Sequence, residues 1–137
     1  MEPNSASRKK IWIGRIASAI PVLLLMISGV MKLMRPPAVV LGFAHFGYPE
    51  RLMLAIGALE LTCAIIYAIP RTSVLGAILV VGYMGGATAT NVRVGDSWVM
   101  PVLIGVLAWF GLFLRDDRVR ALIPLKTSIL ETRTKTA

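Results

Sequence analysis

The chain has 137 residues, of which 56 % are apolar and 16 % charged, with a mean hydropathy of +0.74 and a formal net charge of +8. Water-soluble domains usually carry about 25 % charged residues, so this composition leaves too little polar surface to face water on all sides. A single cysteine excludes an internal disulfide and a dithiol relay, and one Cys with one His cannot supply the four ligands of a zinc site.

In chain order, residues 1–10 form a polar terminus that ends in Arg8, Lys9 and Lys10. The first predicted span covers residues 11–34 and is uncharged from 16 to 31. A basic start before an apolar run resembles a secretory leader. This run, however, is long and ends in Ser28-Gly29-Val30-Met31-Lys32-Leu33 without an Ala-x-Ala cleavage pattern, so a retained helix is expected. Pro21 removes one backbone donor inside it, which predicts a kink that neighbouring helices can satisfy.

Residues 35–51 form the longest connection. Pro36-Pro37 stops the first helix and Gly47-Tyr48-Pro49 marks a turn before the second. The stretch 38–46 between them is too short to span and too apolar to lie in water, which predicts a short interfacial helix or a re-entrant turn.

The second span covers 52–69 and ends at Pro70-Arg71; the third covers 73–92 and is the richest in glycine. Its small-xxx-small pairs, Gly82 with Gly86 and Gly85 with Ala89, predict a face on which another helix approaches closely. After the turn Arg93-Val94-Gly95-Asp96, a fourth span covers 97–114, with Trp98 and Trp109 as expected interfacial anchors. A basic, partly amphipathic tail opens with Arg115-Asp116-Asp117-Arg118.

These elements predict an all-α fold: a four-helix transmembrane bundle with a short interfacial or re-entrant segment between the first two spans. One membrane domain, 11–124, would lie between polar cytoplasmic termini, 1–10 and 125–137. The lysines and arginines fix the orientation. With the N-terminus inside, eleven are cytoplasmic (Arg8, Lys9, Lys10, Arg15, Arg71, Arg115, Arg118, Arg120, Lys126, Arg133, Lys135), and Lys32, Arg35, Arg51 and Arg93 are external. Eleven against four places both ends in the cytoplasm. Charges that flank spans also meet anionic lipid head groups. No aromatic interleaving or nucleic-acid motif accompanies them, so the expected partner is the lipid bilayer, not nucleic acid.

The blocks Ser28-Gly29-Val30-Met31-Lys32-Leu33, Phe46-Gly47-Tyr48-Pro49, Gly57-Ala58-Leu59-Glu60-Leu61 and Gly82-Tyr83-Met84-Gly85-Gly86-Ala87, with Leu114-Arg115-Asp116 after the last span, occur in an order and spacing that resembles the DoxX-like family. The resemblance runs from about Ile11 to Pro124. It implies a four-helix protein of a bacterial inner or plasma membrane, in a family discussed with membrane redox and thiosulfate- or quinone-linked systems. Redox-complex subunits, and a second copy of the chain, are the protein partners to expect. No agreed catalytic residues and no covalently bound cofactor come with it; a quinone is the cofactor it brings into view.

An acid inside a span is expensive and marks a site by default, which singles out Glu60. It lies about 12 Å into its helix at a rise of about 1.5 Å per residue, near the expected midplane. Gly57, Cys63, Ala64 and Tyr67 share its face, which is expected to point into the bundle. Tyr83 of the third span is expected at similar depth as its hydrogen-bond partner. Lys32, one turn from Ser28, is the less direct partner because its stem must bend inward.

Two readings of this trio stay open. In one, Glu60, Lys32 and Tyr83 line a pocket for a quinone head group or another small amphipathic ligand. In the other they form a structural contact of the kind that contributes about 0.6 kcal/mol between membrane helices. His45 reads as a proton carrier at the outer surface or as an interfacial residue between Phe43 and Phe46. Thr88, Thr90, Asn91 and Arg93 read as a polar mouth with Asp96, or as groups bonding the backbone at a helix end. The function implied is an accessory subunit of a membrane redox system, or a protein that binds a quinone or small lipophilic ligand at Glu60.

Overall fold

A computed structural model describes residues 5–123, and among them the backbone is helical, with no strand. Six helices follow one another: α1 (Ser5–Met34), α2 (Pro37–His45), α3 (Leu52–Ala68), α4 (Ser73–Val94), α5 (Val99–Arg115) and α6 (Asp117–Leu122). Residues 1–4 and 124–137, with Lys126, Arg133 and Lys135, lie outside the described residues.

α1 begins at Ser5, ahead of the expected span. Residues 5–13 contain neither Pro nor Gly, and Arg8, Lys9 and Lys10 are good helix formers. It stops at the prolines. Arg35 adopts φ 52°, the left-handed conformation that closes many helices, and its N–H donates to the Met31 carbonyl at 3.0 Å. Pro37 then opens α2 at a position where a missing backbone donor costs nothing. The apolar segment between the first two long helices is therefore a nine-residue helix.

Glycine ends both α2 and α4, because a left-handed turn is required there. Gly47 has φ 74° and Gly95 φ 80°. In each turn the following residue donates back into the helix, Tyr48 to the Phe43 carbonyl and Asp96 to the Asn91 carbonyl, both at 2.9 Å.

α1 packs against α3 and α5, and α4 packs against the same two helices. Along α1 the contacts with α3 run in opposite order. Ser18 meets Tyr67, whereas Gly29 faces Gly57, so the two helices are antiparallel. The core combines small residues with a few large ones: Leu25, Cys63, Ala64, Tyr67, Val80 and Leu112 among them. Cys63 is buried as a packing residue.

The outside of the molecule is more apolar than its inside requires. Ile27 is 62 % exposed and Val106 59 %, while Glu60 is 3 % exposed. Large exposed apolar faces mark contact with something other than water, and lipid suits helices, which bond most of their backbone groups internally. α1 and α4 are each long and apolar enough to cross a membrane. α3 and α5 have 17 residues apiece, the lower end of the roughly 17–25 residues that a span requires.

The glycine face of α4 does not pack as its spacing predicts. Gly82, Gly85 and Gly86 are exposed, and a Cβ at any of them would meet nothing within 4 Å among the described residues. Close approaches occur elsewhere. A Cβ on Gly29 would stand 2.7 Å from Leu61 Cγ, and one on Gly57 would stand 3.1 Å from the Gly29 carbonyl oxygen. Gly76 abuts the Tyr67 backbone, and Gly111 abuts Ser18. Spacing alone cannot separate a helix-facing stripe from a lipid-facing one, since both surroundings are apolar.

Candidate functional site

Glu60 sits at the middle of α3, on the buried face that also carries Met53, Gly57, Cys63, Ala64 and Tyr67. These positions recur at helical spacing, so one rotation of α3 turns all of them inward. Lys32 lies in the last turn of α1. Helical side chains lean toward the N-terminus of their helix, and its stem therefore runs back along α1 toward the middle of the packed helices. There the ammonium group donates to Ser28 Oγ at 2.5 Å and to Glu60 Oε2 at 2.6 Å. The lysine side chain is 15 % exposed and the glutamate 3 %.

Glycine makes this meeting sterically feasible. A Cβ on Gly57 would lie 3.0 Å from Lys32 Cβ, so the stem passes over α3 where α3 has no side chain. The two charges neutralise one another where neither would be solvated. Breaking such a buried pair from one side costs about 3–5 kcal/mol, because the remaining charge has no partner. Tyr83, expected as the first partner, approaches the same carboxylate from α4. The hydrogen bond of good geometry to Glu60 comes instead from Lys32, so the order of the two partners is reversed.

His45 and Asn91 belong to a different network, at the glycine-closed ends of α2 and α4. His45 Nε2–H donates to Asp96 Oδ2 at 2.9 Å, and both side chains are largely exposed. Arg93 donates to the Phe46 carbonyl and stacks over the Tyr48 ring, 5.5 Å from its centroid. Tyr48 shares a 2.9 Å hydrogen bond with Thr90. Thr88 and Thr90 also donate to carbonyls of their own helix, those of Met84 and Gly86. Asn91 is half-buried, and its carbonyl accepts the Asp96 N–H. This network ties the α2 end to α4 and leaves Glu60 to its own partners.

A further buried polar cluster went unnoticed in the sequence. The Tyr67 hydroxyl donates to the Ala108 carbonyl at 2.7 Å and shares a 3.0 Å hydrogen bond with Ser18, which joins α3 to α5 and α1. Its signal was the seven-residue interval from Glu60, two helical turns along the same face. Among the described residues, no three His, Cys, Asp or Glu side chains converge to hold a metal ion. An apolar groove of about 660 Å³ runs between α4 and α5, lined by Met84, Gly85, Gly105, Val106, Trp109 and Phe110 among others. Neither Glu60 nor Lys32 borders it.

The sequence model of the DoxX-like family matches residues 16–111, which contain both Lys32 and Glu60 and all four of the longer helices in whole or in large part. No curated protein and no solved structure matches the chain.

Proposed function

The chain belongs to the DoxX-like family, and from that premise we propose that it is a multi-pass membrane subunit accompanying a membrane redox system, its helices locked together by the Lys32–Glu60 pair. In this reading α1, α3, α4 and α5 all cross an inner or plasma membrane as one bundle, with both termini cytoplasmic. The 17 residues of α3 and α5 suffice if the bilayer thins slightly or flanking residues reach its surface.

One observation carries the accessory role. The buried acid is already matched by a lysine of the neighbouring helix at 2.6 Å, and that lysine is further held by Ser28. A satisfied pair of this kind fixes helix register and needs no ligand. The redox half of the reading is supported by the family's usual company, not by the geometry.

The test uses membranes from cells that lack the protein. Quinone-dependent oxygen uptake should fall, recover with the wild-type chain, and be accompanied by co-purification of a membrane oxidoreductase with the tagged protein. Unchanged uptake together with no co-purifying oxidoreductase would overturn the reading.

A second reading keeps Glu60 as the polar end of a site for a quinone or another small lipophilic ligand. Tyr83 beside the carboxylate favours it. A quinone oxygen there would need a donor, and the ammonium of Lys32 is turned toward Ser28 and Glu60. Only Tyr83 and a rearranged Lys32 would fit. Lipid-soluble quinones that raise the melting temperature of the wild type, but not of Glu60→Gln, would select this reading over the first.

A further inference from the structure

Where the middle of α1 meets the ends of α3 and α5, a cavity of about 240 Å³ is lined by Arg15, Ser18, Ala19, Val22, Tyr67 and Arg115 among others. Among the described residues, two cations and no acid border it. Arg115 lies over the Tyr67 ring, 5.4 Å from its centroid, which fixes the plane of the guanidinium. Its Nε and one terminal nitrogen are buried and find no hydrogen-bond partner among the described residues. Arg15, more exposed, is held 6.0 Å from the Trp12 ring centroid.

The two acids that directly follow Arg115 are committed elsewhere. Asp116 Oδ1 accepts the Arg118 N–H at 2.9 Å and caps α6, and Asp117 pairs with Arg120. Buried guanidinium donors without an acceptor are costly, and each such group calls for an explanation such as a bound anion.

We infer that this cavity is a binding site for a phosphate-class oxyanion, supplied by the head group of an anionic phospholipid. Arg115 would present its planar fork to two phosphate oxygens, and Arg15 would close over a third. Ala19 and Val22 then continue the cavity as an apolar wall along α1, toward the exposed Ile20 and Leu23. A free anion has no use for such a wall, whereas a lipid has an acyl chain to lay on it. Basic pockets between spanning helices on the cytoplasmic side are suited to anionic head groups, and the excess of Lys and Arg puts this end of the bundle inside.

The inference rests on the membrane reading of the chain, and its test separates the two. The full-length protein is purified in a mild detergent. Phosphatidylglycerol, phosphatidylcholine or inorganic phosphate is then added, and melting temperature and bound lipid by native mass spectrometry are followed. Phosphatidylglycerol should raise the melting temperature and remain bound, whereas phosphatidylcholine should do neither. Arg115→Gln should weaken phosphatidylglycerol binding about ten-fold or more, while Arg118→Gln, an exposed arginine at the same end, should leave it unchanged. Should Arg115→Gln fail to fold, Arg15→Gln decides, with a smaller loss expected from its more exposed position. Equal lipid retention by wild type, Arg15→Gln and Arg115→Gln would overturn the site. An equal shift from inorganic phosphate alone would support the oxyanion site and overturn the lipid as its source. Loss of the chain from membranes under alkaline carbonate would instead overturn the membrane reading itself.

Discussion

Lys32 reaches Glu60 because Gly57 lies beneath its stem: a Cβ on Gly57 would come 3.0 Å from Lys32 Cβ and 3.1 Å from the Gly29 carbonyl oxygen. Neither of those atoms is the free end of a flexible chain, so a side chain at Gly57 must push α1 and α3 apart or break the pair. Gly57→Val should therefore destabilise the detergent-solubilised protein by about 1–3 kcal/mol, the usual cost of overpacking. Gly86→Leu should be tolerated, since a Cβ there meets nothing within 4 Å. Melting temperatures of the two variants check this. A loss at Gly86 as large as that at Gly57 would mean that the α4 glycine face is covered in the native assembly, as a homo-oligomer would cover it.

The charge pair predicts a non-additive pattern. Lys32→Met leaves Glu60 buried without its partner and should cost about 3–5 kcal/mol. Glu60→Leu strands Lys32, whose long stem can still turn outward, so its cost should be smaller. The double variant Lys32→Met/Glu60→Leu removes both charges and should recover most of the loss. A double-mutant cycle on melting or denaturant midpoints measures the coupling. Single variants that behave like the wild type would show that the pair does not hold the helices together.

Much of the helical layout was legible because prolines and glycines punctuate it. Pro36-Pro37 ends one helix and opens the next, and the glycine turns at Gly47 and Gly95 fall where left-handed backbone is needed. Which small residues face inward was not legible. In a soluble helix, polarity marks the outer face; here both faces are apolar, so Gly57 and Gly86 look alike until packing distinguishes them. Glu60 stood out as a lone acid within an apolar segment. Lys32 was legible only as its second partner, because rise per residue places it a turn too high and ignores the backward lean of a helical side chain. Arg115 was legible only as a charge at a span end. Its stacking on Tyr67 depends on three helices converging, and no local pattern encodes that.

The proposed topology, with both termini cytoplasmic, rests on the eleven-to-four distribution of Lys and Arg. A reporter active only outside the cytoplasm should be silent when fused after Ala137 and active when inserted beside Gly95. The connection between α3 and α4, which carries Arg71, should also report as cytoplasmic. Activity after Ala137 with silence at Gly95 would invert the orientation and place the Arg15–Arg115 cavity on the outer face.

The network at the ends of α2 and α4 separates a structural role from a proton-carrying one. His45 and Asp96 are largely exposed, and an ion pair in that setting contributes under about 1 kcal/mol. Arg93 does more: it donates to the Phe46 carbonyl and covers the Tyr48 ring, while Tyr48 reaches Thr90. Through these contacts it clamps the turn after α2 onto the last turns of α4. Arg93→Ala should therefore lower the melting temperature more than His45→Ala does, and should speed proteolysis in the connection around Gly47. Arg93→Lys should not rescue it, because an ammonium cannot both stack flat on a ring and donate sideways to a carbonyl. The opposite ranking, with His45→Ala the more damaging and the Arg93 variants neutral, would place the weight of this network on the histidine. It would also return His45 to consideration as the group that moves protons at this surface.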